Sequence, residues 1–197
     1  MIPPQRVRSR NAAATRQAIL GSARRAFARE GYDNVGLREI AGDAGVDPAL
    51  VSRYFGGKEQ LFKESVRGED QDLMLGVSRN GLAGHFADLL LDDAQAGCGA
   101  SDEKTDRLLI LLRSASSPKA SQILREAIDE DIRQPVASVL GGGDAEVRAS
   151  LCLALLMGVG ILKSAMAFAP LCSEDRTSLR NRLVCLFDAA LEECPGS

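Results

Sequence analysis

Apolar residues recur every three or four positions along most of the chain, and no stretch alternates apolar with polar as a half-buried strand would. From about Ala12 to Glu30, Ile19, Ala23, Ala26 and Phe27 share one helical face, and Gly31 stops that helix. Two short helices are predicted next, over about 37–44 and 48–54. Gly36 is a weak cap for the first, whereas Asp47 is a good N-cap and Pro48 a good opening residue for the second. Gly45 falls where the chain must reverse, a place that commonly needs a left-handed backbone. Gly56-Gly57 breaks the chain again, and Lys58 opens a fourth helix with Leu61, Phe62 and Val66 inward. Ile19, Phe27, Leu37, Ile40, Val46, Leu50, Val51, Phe55 and Phe62 are enough to close a small three-helix core.

The pattern stays helical to the C-terminus. Leu82, Phe86, Leu89 and Leu90 mark one helix, a glycine-rich loop follows at 96–101, and Leu108, Leu111 and Leu112 mark another. Ser117-Pro118 reads as the cap and first position of a longer helix carrying Ile123, Leu124, Ala127, Ile128 and Ile132, which Pro135 should end or kink. After the break at 141–143, Asp144 is expected to cap a helix reaching about Ala167. That helix is apolar on nearly all sides, so it must be enclosed by other protein. Ser173 then caps a last helix with Leu179, Leu183, Leu186, Phe187, Ala190 and Leu191 as its stripe. The expected fold is all-α with about nine helices. It comprises a basic flexible arm (1–11), a helix-turn-helix head (12–60) and a helical effector-binding and dimerisation bundle (61–197).

Composition sharpens this picture. Aromatic residues make up 4% of the chain and Trp is absent, while Ala and Leu dominate, which favours helices. The net charge of −3 hides a split: residues 1–67 carry +5 and residues 68–197 carry −8. A basic head on an acidic body is the distribution of a chain whose head alone meets a polyanion. Cys98, Cys152, Cys172, Cys185 and Cys194 are widely spaced, lack any CxxC and accompany the single histidine His85. Neither a metal site nor a disulfide framework is expected, and free thiols in a reducing cytoplasm are the plain reading. No secretory signal is visible, and the most apolar run, 149–162, is shorter than the roughly 17–25 residues that span a bilayer. No cofactor is called for.

The chemistry is concentrated in residues 37–55, LREIAGDAGVDPALVSRYF. Ala41 is small where two helices must touch, and Val46 and Val51 point inward. This small–x3–Gly–Val–x4–Val spacing is the core pattern of a helix-turn-helix, whose second helix enters a DNA major groove. On that helix the residues not needed for the core are Asp47, Pro48, Ala49, Ser52 and Arg53. Arg53 has the fork geometry for a bidentate contact to guanine, while Pro48 and Ala49 suit a thymine methyl. Tyr54 can donate to a phosphate while its ring packs on the first helix. Arg38 and Lys58 lie near helix N-termini, where backbone N–H groups already favour an anion. Thr15 and Arg16 are further candidates for the DNA backbone, and Arg6, Arg8 and Arg10 for an adjacent groove.

The stretch from Thr15 to Val66 resembles the TetR family of transcriptional regulators. The likeness rests on Ala23, Phe27, Gly31 and Tyr32 at the end of the first helix, then REIA, AGV, YF and KEQLF in order. It implies a homodimer built through the last two helices, near 144–167 and 174–193, binding a pseudo-palindromic operator. It also implies a repressor released by a small apolar effector that enters the middle helices and changes the separation of the heads. Phe86, Leu90, Leu108, Leu112, Ile128 and Phe168 are the expected contacts for that effector, with His85 as a hydrogen-bonding partner. Two places depart from the family's pattern: Ser52 stands where a Tyr is usual, and Gly36 where a phosphate-touching Thr is usual. Both losses shift phosphate work to Arg38, Ser52, Arg53, Tyr54 and Lys58. Rival readings are an effector-independent or a redox-responsive DNA-binding protein. An enzyme is disfavoured, since no nucleophile–base constellation or phosphate-binding glycine loop is present.

Overall fold

The computed structural model describes residues 4–67, 76–91 and 103–193, with side chains from Ala12 onward. Among the described residues the protein is entirely helical. The chain divides into two compact units, one of residues 1–69 with 109–124, the other of 70–108 with 125–197.

The first unit contains α1 (Pro4–Glu30), α2 (Leu37–Asp43), α3 (Pro48–Phe55) and α4 (Lys58–Val66). Residues 4–11, expected as a flexible arm, instead continue α1 at its N-terminus. Pro4 suits a first helical position, and no helix breaker follows it before Gly21. The side chains of Arg6, Arg8 and Arg10 lie outside the described residues. Gly31 ends α1 with φ +76°, and Gly45 adopts φ +65° in the turn between α2 and α3. Asp47 caps α3, its carboxylate accepting from the Ala49 N–H at 2.8 Å, and Gly56 closes that helix in the left-handed conformation.

Ile19, Phe27, Ile40, Val51 and Phe62 are fully buried in this unit, with Phe27, Tyr32 and Phe62 forming an aromatic cluster. Leu50, expected in the core, is only partly buried and lies outside the packed cluster. The core is closed by residues far away in sequence: Ile110, Ala120, Ile123 and Leu124 pack into it. They belong to α6 (Glu103–Ser114) and α7 (Pro118–Ile128), and the carbonyl of Arg113 approaches Gly31. Ser117 caps α7 as expected, accepting from the Ala120 N–H at 3.3 Å.

The second unit holds α5 (Leu82–Leu91), preceded by the 3₁₀ turn Arg79–Gly81, together with α8 (Gln134–Leu140), α9 (Ala145–Gly160), α10 (Ala169–Ser173) and α11 (Arg176–Leu191). Pro135 neither ends nor visibly breaks its helix. A π turn over Asp129–Arg133 joins α7 to α8, and the Gln134 N–H reaches back to the Asp129 carbonyl. One extra residue per turn absorbs the hydrogen bond that proline cannot donate. A second π turn, Ile161–Ala165, extends α9. The result is a 21-residue helix, Ala145–Ala165, long and apolar enough to cross a membrane by length and composition. It exceeds the apolar run counted from the sequence because Ala145–Arg148 and Lys163–Ala165 prolong it.

Two caps differ from expectation. The Asp144 carboxylate makes no cap bond and instead accepts from Arg148 Nε at 2.7 Å. The last helix is capped by Asp175, whose side chain accepts from the Ser178 N–H at 3.0 Å, two residues beyond Ser173. The buried Arg148 also donates to the carbonyls of Leu191 (2.9 Å) and Gly141 (2.6 Å), tying the ends of α8 and α11 to α9. Asp88 of α5 receives a bidentate pair from Arg180 of α11 at 2.6 and 2.9 Å.

The cysteines correct a further expectation. Cys152 and Cys185 are free, but Cys172 is disulfide-bonded. Spacing along the chain does not report which thiols helix packing brings within reach. Cys98, Cys194 and the glycine-rich loop at 96–101 lie outside the described residues.

Candidate nucleic-acid interface

Val51 and Phe55, four residues apart, anchor α3 in the core, which fixes the opposite face outward. Asp47, Pro48, Ala49, Ser52 and Arg53 are all exposed on that face or at its start. Tyr54 is partly buried and packs against the core of the unit. Arg38, in the first turn of α2, is also exposed.

The described arginine side chains of α1–α4 fall into two groups. Arg24 is buried and donates to the carbonyls of Ser65 and Arg67 at the end of α4 (3.2 and 3.1 Å). Arg25 pairs with Asp43 at 2.9 Å and Arg29 with Glu39 at 3.4 Å. Arg16 pairs with Glu64 and lies over the Phe55 ring. Arg38 and Arg53 make no ion pair among the described residues, and both belong to the helix-turn-helix. An exposed guanidinium without an internal partner is the group best able to take a phosphate or a guanine edge.

Lys58 makes an internal contact besides its expected role. Its ammonium sits 4.5 Å from the centre of the Tyr32 ring, and burial pushes its pKa down, so it caps the aromatic cluster at the start of α4. Tyr32 in turn has its hydroxyl pKa raised, by burial first and by Glu59 second. Arg38, Ser22, Arg25, Arg29, Glu39 and Asp43 line a cleft of about 340 Å³ between α1 and α2.

Of the seven expected effector contacts, all but Leu112 fall in the second unit, where Leu90 and Leu108 both lie against Gly160. Phe86 is buried against Phe187, ring centres 5.3 Å apart, and Leu90 lies in the same core. Leu108 packs at Gly160, where an added Cβ would meet it at 3.4 Å. Ile128 is partly buried, and Phe168 is 51% exposed. Leu112 is exposed and falls in the first unit, because the inward residue of that part of α6 is Ile110. His85 is partly buried, and its Nε2 is a buried polar atom with no hydrogen-bond partner among the described residues.

Sequence reading missed the internal engagement of Arg16 and Arg24. Both reach across more than 40 positions, to Glu64 and Ser65, and no local pattern announces such contacts.

Comparison with known proteins decides the family. The family model described as "Bacterial regulatory proteins, tetR family" matches residues 19–65, and "Tetracyclin repressor-like, C-terminal domain" matches residues 97–191. The chain belongs to the TetR family. TetR-family proteins are non-enzymatic, DNA-binding transcriptional regulators. Among curated relatives, the HTH-type transcriptional regulator BetI of Agrobacterium fabrum is 41% identical over 58 residues, 29% of this chain and 28% of that protein. The HTH-type transcriptional repressor Rv1474c of Mycobacterium tuberculosis is 35% identical over 78 residues, 40% of this chain and 42% of that protein. The chain thus spans less than half the length of these relatives. Among solved structures, NalD of Pseudomonas aeruginosa, the secondary repressor of the MexAB-OprM multidrug efflux pump, shares the fold with a TM-score of 0.65. It is 18% identical, covering 92% of this chain and 97% of that one. GusR of Salmonella enterica gives a TM-score of 0.60 at 21% identity, covering 88% and 95%.

Proposed function

We propose that this TetR-family protein represses transcription as a homodimer on a pseudo-palindromic operator, and that a small molecule releases it. The observation that carries the DNA-reading part is the sorting of arginines on α1–α4: among the described residues Arg38 and Arg53 are exposed and make no ion pair, while Arg16 and Arg24 are engaged within the chain and Arg25 and Arg29 form surface ion pairs. In this reading Arg53 and Ser52 face base edges, Pro48 and Ala49 supply apolar contact, and Asp47 holds the start of the helix. Arg38, Tyr54 and Lys58 serve the phosphates, Lys58 by leaving the Tyr32 ring or sharing its charge.

Dimerisation is supported by apolar surface that the described residues do not cover. Val147 and Leu151 of α9 are 62% and 52% exposed, and Leu186 of α11 is 51% exposed. Burying such surface against a second copy is favourable at roughly 25 cal/mol per Å². A two-fold pair presents two recognition helices to half-sites about one helical turn apart. Release requires only that the effector bind the operator-competent and incompetent arrangements with different affinity. His85, whose buried Nε2 has no partner among the described residues, is the polar group best suited to a ligand in the second unit.

The test is mobility shift of duplex DNA from upstream of the protein's own coding region at low salt, with light scattering on the same sample. A dimer that shifts this DNA in preference to unrelated duplex is the expected result. A monomer, or equal binding to both duplexes, defeats the proposal.

A further inference from the structure

Arg16 was expected at the DNA backbone, yet its guanidinium is committed elsewhere. It pairs with Glu64 of α4, which also accepts from Gln60, and its Cζ lies 4.7 Å from the centre of the Phe55 ring. Phe55 is the last residue of α3, is 3% exposed, and immediately precedes the left-handed Gly56 that ends the helix. Arg16 therefore touches three helices: it stands on α1, stacks on the terminal residue of α3 and is fastened to α4. Ser52 and Arg53 lie only three and two residues before Phe55. A change in how Phe55 seats would rotate both about the axis of α3.

We infer that Arg16 is a positioning residue for sequence reading, a cationic brace that sets the rotation of α3 through Phe55 while Glu64 holds the brace in place. This rests on the DNA-reading assignment of α3 above. The flat guanidinium suits the role because it can stack on a ring face and pair in its plane with a carboxylate at once. A phosphate contact by the same residue makes the opposite prediction about Glu64. If Arg16 bound DNA directly, Glu64 would be its competitor, and removing the carboxylate would strengthen binding.

The experiment uses the full-length protein and a duplex it has itself selected from a random library, against a scrambled duplex of the same length. Affinities for both are measured across salt concentrations for wild type, Arg16→Ala, Arg16→Lys, Glu64→Gln and the Arg16→Ala/Glu64→Gln double variant. Thermal melts confirm that each is folded, and Glu64→Gln, an isosteric change, carries the test if Arg16→Ala is unstable. The brace predicts that Arg16→Ala and Glu64→Gln each lower the selected-to-scrambled ratio by about tenfold, the scale of one misplaced base contact. The double variant is expected to lose no more than the worse single one, and the salt slope to stay at its wild-type value. Arg16→Lys, which keeps a cation beside both partners, is expected to recover most of the ratio. Tighter binding by Glu64→Gln, with Arg16→Ala lowering the salt slope by about one on every duplex, overturns the inference in favour of a phosphate contact. An unchanged ratio in both variants overturns it as well. Failure of the wild type to select any duplex is a different result: it removes the DNA-reading assignment itself.

Discussion

Among the described residues Arg38 and Arg53 have no carboxylate partner, unlike Arg16, Arg25 and Arg29 of α1, and that difference assigns them separate tasks. Arg38, beside the N-terminus of α2, is placed for a phosphate. Arg38→Ala is therefore expected to weaken binding to all duplexes alike and to reduce the salt slope by about one. Asp47 serves α3 rather than DNA directly, since its carboxylate holds the Ala49 N–H. Asp47→Ala should cost about 1 kcal/mol of stability, measured as a lower denaturant midpoint, and Asp47→Ser should restore most of it. Arg148 is a heavier structural commitment. It is 3% exposed and satisfies two backbone carbonyls and Asp144, so Arg148→Met should destabilise by about 3 kcal/mol or more because Asp144 and both carbonyls lose their partner. The thiols separate just as clearly. Burial pushes the Cys152 pKa to about 11 against the weaker opposing pull of Arg148, whereas Cys185 is exposed. Iodoacetamide at pH 8 followed by peptide mapping should label Cys185 and spare Cys152. Labelling of Cys152 in the folded protein would contradict this burial.

At the scale of elements, the turns of the first unit were readable because each has a local chemical cause. Gly31, Gly45, Asp47-Pro48 and Gly56 each perform the backbone task their residue type implies. Gly31→Ala places a side chain at φ +76° with the Arg113 carbonyl 3.4 Å from the new Cβ, and should destabilise by about 1–2 kcal/mol. The exposed face of α3 was readable for a related reason: Val51 and Phe55 consume the inward face, so Ser52 and Arg53 had only the outward one. Where expectation failed, the cause was a contact distant in sequence or an irregular helix. Ile110 and Leu124 complete a core that the residues from Ile19 to Phe62 were expected to close alone, and nothing near them in the chain says so. Pro135 was expected to end or kink its helix, but a π turn accommodates it at the loss of only local regularity. The α5–α11 contact carries its own pH signature. The hydrogen bonds from Arg180 hold the Asp88 carboxyl below its ordinary range. A depressed folded-state pKa stabilises above the unfolded value and is lost as pH falls through the folded one. The second unit should therefore lose stability as pH drops below about 4, followed by circular dichroism, and Asp88→Asn should flatten that dependence.

For the whole molecule, the decisive feature is α9, which packs by one stripe and leaves large apolar side chains outside. The sequence expectation that this helix must be enclosed is not met by the chain's own described residues, and a second copy is the proposed cover. Leu151→Glu combined with Leu186→Glu should halve the mass measured by light scattering and abolish operator binding, while the monomer keeps its helical signal. The charge split, positive over residues 1–67 and negative over 68–197, fits a protein whose helix-turn-helix segment meets DNA while the later residues do not attract it. The account turns on whether the outward face of α3 reads base sequence, and Arg53 is its sharpest point. The most direct measurement is binding of wild type and Arg53→Ala to the selected duplex and to its single-base variants, at fixed salt. The account predicts that Arg53→Ala loses about 1–3 kcal/mol on the selected duplex and ceases to discriminate at one or two guanine positions only. Equal loss on every duplex, or no loss at all, would contradict it.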